Sequence, residues 1–351
     1  MSDVGRLLQD MTDRLFGEAC TPAVRAGAEH GVWPEQLWDQ VVEAGLTTPA
    51  NPAESGDALA DAMVIMRSIG RHAAPVPLAE AILGGWLLAW AGLPSHDGPL
   101  TIAPTRRLAL PVLSRVGAGW SLRGRAREVP WARHAAVVVV TAAVADDAGQ
   151  AIVALPMADV AAVPSANVAG EPRDHIVFDD VPVAASQIGQ LPEDNAEVLL
   201  TRLGALARSH QMAGAMEWIL ERCCEYAGER QQFGKRIGGF QAVQQMMAEM
   251  AGEVSAATAA ADAAARSPEP PGDDWPIGLA KARVGAAAGQ VATLAHQVHG
   301  AMGYSHEYPL HFRTRRLWAW RDEFGSERLW QISVGRRVAR RGGSLLWRDL
   351  T

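Results

Sequence analysis

The segment Glu229–Gln244, ERQQFGKRIGGFQAVQ, stands between two long helical patterns and decides how the chain is read. Three cations, Arg230, Lys235 and Arg236, surround Phe233, Gly234, Gly238 and Gly239, after which the apolar rhythm resumes. A guanidinium can hold a diphosphate through two parallel hydrogen bonds, and glycines let the backbone come close to a ligand. The same composition also suits a plain joint between two helices. Both readings stay open on this segment alone.

Outward from it, the C-terminal half reads as helix. EVLLTRLGALARSHQMAGAMEWILERCCEYAGER precedes the segment as one continuous pattern. FQAVQQMMAEMAGEVSAATAAADAAARS follows it, with Phe240, Val243, Met247, Met250 and Val254 on one stripe. Met246, Met247 and Met250 read as core. PEPPGDD (268–274) breaks the pattern, and the alanine-rich GLAKARVGAAAGQVATLAHQVHGAMG suits close helix approach. Residues 1–98 also read as helices, with Leu37, Val41, Val42 and Leu46 at helical spacing. Residues 99–190 differ. Short β-type runs (RLALPVLS, GWSLRGRAREVP, HAAVVVVTAAV, QAIVALPMADVAAV, DHIVFDDVPV) alternate with turns, which predicts a small antiparallel barrel or sandwich rather than a doubly wound parallel sheet. The expected order is an N-terminal helical domain (1–98), a middle β-domain (99–190) and a C-terminal helical bundle (191–351).

Composition sets limits. With 48% apolar and 20% charged residues, the 351-residue chain can bury a large core. Its net charge of −7 gives no global support for a nucleic-acid partner. No apolar run is long enough for a bilayer span, and the N-terminus does not read as a signal peptide. Ten arginines lie between Arg313 and Arg348, either as a solvated face paired with acids or as a surface for a partner or anion. The three cysteines, Cys20, Cys223 and Cys224, lack metal spacing and read as small buried thiols of a reduced, cytoplasmic protein. His296 and His299 lie three apart on a helix. Without nearby acidic or thiol ligands they read as helix-surface or ligand-adjacent groups, and no metal is expected. Trp318, Trp320 and Trp330 alternate with arginines and read as core anchors with cation–π contacts.

A second Gly-bearing helix end, QVHGAMGYSHEYP (297–309), joins the first segment. Together they resemble the acyl-CoA dehydrogenase family, and the helix–β–helix order, LWDQVVEAGL and DHIVFDDVPVAASQIG extend the resemblance along the whole chain. The resemblance implies an FAD enzyme that oxidises an acyl-CoA thioester to the 2,3-enoyl-CoA, passes electrons to an electron-transfer flavoprotein, and works as a dimer or tetramer. It implies that Arg230, Gln232, Phe233, Gly234, Gln241, Gln297, Gly300 and Ala301 contact the flavin nucleotide of a neighbouring protomer.

Three departures from the family pattern shape the expectation. The usual base position after the HEYP element falls on Phe324, with Glu323 one residue early. The alternative base position, on the first long helix of the bundle, falls near Gly204. In the middle domain, LTIAPTRRL and REVPWARHA replace the family's flavin-ring segments, with Glu128 and Pro130 at the tryptophan and hydroxyl positions and Trp131 nearby. Glu307 of HEYP reads as structural. The pattern therefore resembles the short subunit of heteromeric bacterial members, some of them acting on steroid side chains, that completes the FAD site of a base-bearing paralogue. The alternatives are a self-sufficient enzyme using Glu323, or a non-catalytic acyl-CoA binder or scaffold. Gly204 and Ala205, being small, would leave room for a bulky acyl chain.

Overall fold

The computed structural model describes residues 2–52, 55–104, 110–145, 149–191, 196–266 and 274–343. The chain divides into two compact units: Met1–Gly17, Leu59–Ala74 and Gly204–Thr351 form one, and Glu18–Ala58 with Pro75–Leu203 form the other.

The first unit is helical. It contains α1 (Asp3–Ala19, to Gly17), α4 (Ala58–His72, from Leu59), the larger part of α6 (Ala196–Glu229), α7 (Gln241–Ala265), α8 (Asp274–His299), α9 (His311–Asp322) and α10 (Glu327–Arg341). A two-stranded hairpin, β9 (Gln231–Gln232) and β10 (Lys235–Arg236), joins α6 to α7. From Leu203 to Met216 every residue of α6 is buried, so its sequence carries no polar stripe there. The polar side chains in that stretch are bonded: Ser209 Oγ donates to the Ala205 carbonyl (2.7 Å), and His210 Nε2 to the Ala261 carbonyl of α7 (3.0 Å). Helices α4 and α6 cross in backbone contact. A Cβ on Gly70 would lie 1.8 Å from the Gln211 carbonyl oxygen, and one on Gly214 would lie 2.0 Å from that of Arg67.

The arginines of α9 are not one solvated face. Arg313 and Arg316 are only 2% and 1% exposed. Arg313 lies over the Trp218 ring at 3.7 Å and donates through Nε and Nη2 to the Arg71 carbonyl, while Arg316 Nη1 donates to the Phe312 carbonyl. Arg328, Arg336, Arg340 and Arg341 are exposed. Trp320 and Trp330 are buried as expected, but Trp318 is 44% exposed beside Arg321.

The second unit contains α2 (Pro22–Glu29), α3 (Glu35–Glu43), α5 (Leu78–Trp90) and one eight-stranded sheet. Thr21 caps α2 by accepting from the Val24 N–H at 3.2 Å, and Pro22 opens its first turn. In α3, Leu37 and Val41 are buried, whereas Val42, expected in the same stripe, is 47% exposed. The sheet strands are β1 (Leu100–Ala103), β2 (Val112–Val116), β3 (Gly119–Pro130), β4 (Val137–Val144), β5 (Gln150–Pro156), β6 (Ala161–Val163), β7 (Arg173–Val183) and β8 (Ile188–Gly189). Their order is β6-β7-β3-β2-β4-β5-β8, with β1 also on β4. Most pairs are antiparallel, but β4 pairs in parallel with both β1 and β2, so the sheet is mixed. The valine run Val137–Val140 lies between β1 and β5 and is buried throughout, as a strand with neighbours and covered faces requires. Leu113, Leu122, Val138, Val153, Ile176 and Phe178 belong to its core.

Candidate catalytic and cofactor site

At the corner between α9 and α10 the backbone passes through Phe324 and Gly325 with φ of +53° and +96°. A non-glycine residue in the left-handed region is uncommon, so surrounding bonds must hold it. They do. Lys281 of α8, fully buried, donates to the carbonyls of Arg321 (2.7 Å) and Gly325 (2.8 Å), and Trp330 Nε1 donates to the Phe324 carbonyl (3.0 Å). Burial lowers the Lys281 ammonium to about 7, opposed by the carboxylates of Glu323, Glu327 and Asp322.

This geometry turns the Phe324 ring onto Gly204 of α6. A Cβ on Gly204 would lie 2.3 Å from Phe324 Cδ1. The two positions expected for a base are thus in contact, and neither holds a carboxylate. The space beside Gly204, expected to admit a bulky acyl group, is filled by this ring. Glu323 points elsewhere: its Oε2 accepts from Nε of Arg208 at 2.7 Å. The Arg208 side chain is 3% exposed and that of Glu323 19%. Arg208 also donates to Gln211 Oε1 (2.6 Å) and lies 5.6 Å from the Phe324 ring centre. No local signal in the sequence marks Arg208 as the partner of a residue 115 positions away. Glu307 is exposed on the 305–308 turn.

The cofactor candidates are elsewhere on the bundle. Arg230 follows α6 directly, its N–H donating to the Tyr226 carbonyl (2.9 Å). Phe233 and Gly234 turn the hairpin with φ of +52° and +80°, the geometry of a tight two-residue turn. Phe233 is 91% exposed, and Lys235 lies 4.2 Å from the centre of the Phe240 ring. An open cavity of about 700 Å³ beside the hairpin is lined by Cys224, Ala227, Lys235, Arg236, Gly238 and Met247, among others. Met246 and Met247 are half-buried, and only Met250 of the three methionines is core. Cys223 is buried but Cys224 is exposed, because neighbours on a helix face different sides.

The second segment begins at the end of α8, where Gln297, Gly300 and Ala301 are exposed. Arg230, Gln232, Phe233, Gly234 and Gln241 are exposed too. A Cβ added to Gly234 or Gly300 would meet nothing within 4 Å, and the Arg230 guanidinium makes no ion pair among the described residues. An unpaired cation beside the open Gly234 turn suits an anionic group such as a nucleotide diphosphate. The segments meet at their roots: the Tyr226 and His299 rings stack with centroids 4.5 Å apart. His299 is therefore buried rather than on the helix surface. His296 stacks on Tyr304 (4.6 Å) and shares a hydrogen bond with Thr314 Oγ1 (3.1 Å). Among the described residues no group of three or more His, Cys, Asp or Glu side chains could hold a metal, and no helix is long and apolar enough to cross a membrane.

In the middle sheet, Glu128 is exposed with φ +57°, its N–H donating to His175 Nδ1 (3.3 Å). Trp131 is buried against Trp33 and His134. Part of LTIAPTRRL lies outside the described residues.

This architecture is the acyl-CoA dehydrogenase fold. The chain superposes on the solved ChsE4-ChsE5 complex from Mycobacterium tuberculosis with a TM-score of 0.87, covering 97% of this chain and 98% of that one at 23% identity. Residues 199–334 match the family described as acyl-CoA dehydrogenase, C-terminal domain. The chain is 26% identical to acyl-CoA dehydrogenase IpdE2 of Mycobacterium tuberculosis across 97% of both proteins. A shorter stretch, 40% of this chain and 37% of the relative, is 36% identical to glutaryl-CoA dehydrogenase of Desulfococcus multivorans. Residues 199–334 thus carry that family's C-terminal domain, and the whole chain has the fold of its members.

Proposed function

We propose that this chain is the FAD-completing subunit of an acyl-CoA dehydrogenase whose base lies on a paralogous partner. The observation that carries the reading is the contact of Gly204 with Phe324: the two expected base positions face each other without a carboxylate. The cofactor candidates, by contrast, are all presented to solvent. Arg230 would grip the diphosphate by paired hydrogen bonds, and Gly234 and Gly300 would let backbone amides approach it. Gln232, Phe233, Gln241, Gln297 and Ala301 would line the remainder of the nucleotide. Bound FAD would supply the hydride acceptor for oxidation of an acyl-CoA to its 2,3-enoyl form. An electron-transfer flavoprotein would then take the electrons, and the whole would be a cytoplasmic dimer or tetramer. The identity with IpdE2 over nearly the full length and the fold shared with a two-component complex support this assignment.

The second reading keeps Glu323 as a base in a self-sufficient enzyme. Glu323 stays one residue from the expected position and is partly exposed, which favours that reading, but its carboxylate is bonded to Arg208.

Purification of the chain alone and with its paralogue separates the readings. The FAD-completing subunit is colourless or inactive alone. It gains flavin absorbance and acyl-CoA-dependent acceptor reduction with its partner, and Arg230→Ala in the assembled protein releases the flavin. Full activity of the chain alone would establish the second reading. Absence of flavin in every combination would leave only a scaffold.

A further inference from the structure

We infer that Tyr226, His299 and Tyr308 form a positioning clamp that fixes the Arg230 hairpin and the Gly300 loop in mutual register; as a cofactor device it rests on the function proposed above. The hairpin is held from within by its own short ladder and by Ile237 N–H donating to the Arg230 carbonyl (2.8 Å). Nothing in those bonds sets its position against α8. The three rings do. Tyr226 lies one helical turn before Arg230 and its carbonyl receives the Arg230 N–H, while its ring stacks on His299, the residue before Gly300. The Tyr226 hydroxyl donates to the His299 carbonyl at 3.5 Å.

His299 also closes the loop that follows it. Its Nδ1–H donates to the Ala295 carbonyl (2.8 Å), which leaves Nε2 to accept from the Tyr308 hydroxyl (2.9 Å). The segment from Gly300 to Glu307 is thereby bracketed at both ends by one imidazole. Burial lowers the His299 imidazolium, raises Tyr308 to about 12 and raises the neighbouring Cys223 thiol to about 12. The cluster is uncharged at neutral pH, so the buried His299 and the half-buried tyrosines bring no unpaired charge of their own.

A ring stack or a neutral hydrogen bond is a modest contact, but register is a geometric quantity. Two turns that must hold one nucleotide lose affinity when either drifts, even if the fold survives. A merely structural cluster would lower stability and leave cofactor affinity unchanged.

The test uses Tyr308→Phe, which removes the bond to Nε2, and His299→Leu, which removes the bond and the stack. Hydrogen exchange on the flavin-free chain is expected to show amides of residues 231–239 and 297–304 losing protection together in His299→Leu. In the assembled holoprotein, FAD binding is expected to weaken by about tenfold, equivalent to 1.4 kcal/mol, with the larger effect in His299→Leu. Loosening confined to 297–304, with FAD affinity unchanged in both variants, overturns the clamp. If His299→Leu does not fold, Tyr308→Phe alone decides, since it keeps the ring. Unchanged FAD affinity in Arg230→Ala would instead overturn the cofactor reading, and the exchange result would still decide whether the two turns are coupled.

Discussion

The ring of Phe324 occupies the place a side chain on Gly204 would take, 2.3 Å from an ideal Cβ. The two residues are therefore a size-matched pair. Gly204→Ala is expected to destabilise the chain by about 1–3 kcal/mol through overpacking. Adding Phe324→Ala should recover part of that loss, because the obstacle is the ring itself. Denaturant unfolding of the two single variants and the double variant measures the coupling. Strict additivity would show that the two side-chain positions do not compete for one space.

Glu323→Gln separates the two catalytic readings. The neutral amide takes the charge of Glu323 away from Arg208, which is nearly without solvent, and stability is expected to fall by about 3 kcal/mol, the low end for a broken buried pair. Turnover per folded, flavin-loaded complex should change only a few-fold. A general base normally contributes roughly 100-fold or more. A drop of that size, measured per bound flavin, would make Glu323 the base.

The α4–α6 crossing has no room for a methyl group. At Gly70 and Gly214 the obstruction is a backbone carbonyl at 1.8 and 2.0 Å, which cannot swing aside as a side chain can. Either Gly→Ala substitution is expected to cost about 3 kcal/mol, the upper range for overpacking, and to lower soluble yield. Thermal unfolding next to a control substitution at exposed Gly335, where an added Cβ meets nothing, supplies the comparison.

Acid should weaken the bundle through His210. Burial lowers this imidazole from 6.5 to about 3, so it is neutral in the folded chain and protonates readily in the unfolded one. Its contribution is present in full above pH 6.5. It is lost as pH falls from 6.5 towards 3, at up to about 1.4 kcal/mol per pH unit. His210→Gln, which can still donate to the Ala261 carbonyl, is expected to flatten the stability profile between pH 6.5 and 5, where carboxylates titrate little. An unchanged slope would show that His210 is hydrated or already protonated.

Much of this was legible in the residues themselves. The uninterrupted pattern of α6, the turn after Arg230 and the five β-type runs depend on local signals, namely helical spacing, a Phe-Gly pair and valine-rich runs; that the turn closes a short hairpin was not legible. The parallel pairing of β1 and β2 with β4 was not legible, because parallel neighbours are joined by distant chain and leave no hairpin signature. The burial of Arg313 and Arg316 was equally hidden. An arginine becomes core only when an aromatic face and backbone carbonyls, here those of Trp218, Arg71 and Phe312, are brought to it by the fold. At the candidate site, the missing carboxylate could be counted from the HEYP element. The meeting of Gly204 with Phe324, and the diversion of Glu323 to Arg208, required three dimensions.

Because α1 and α4 belong to the same compact unit as the helices from Gly204 onward, the molecule is not assembled in the order it is made. On the ribosome, α4 emerges about 130 residues before the rest of its unit resumes at Gly204, and α1 emerges earlier still. A fragment trimmed to the family-matched stretch, 199–334, would lack the two helices that close its own core.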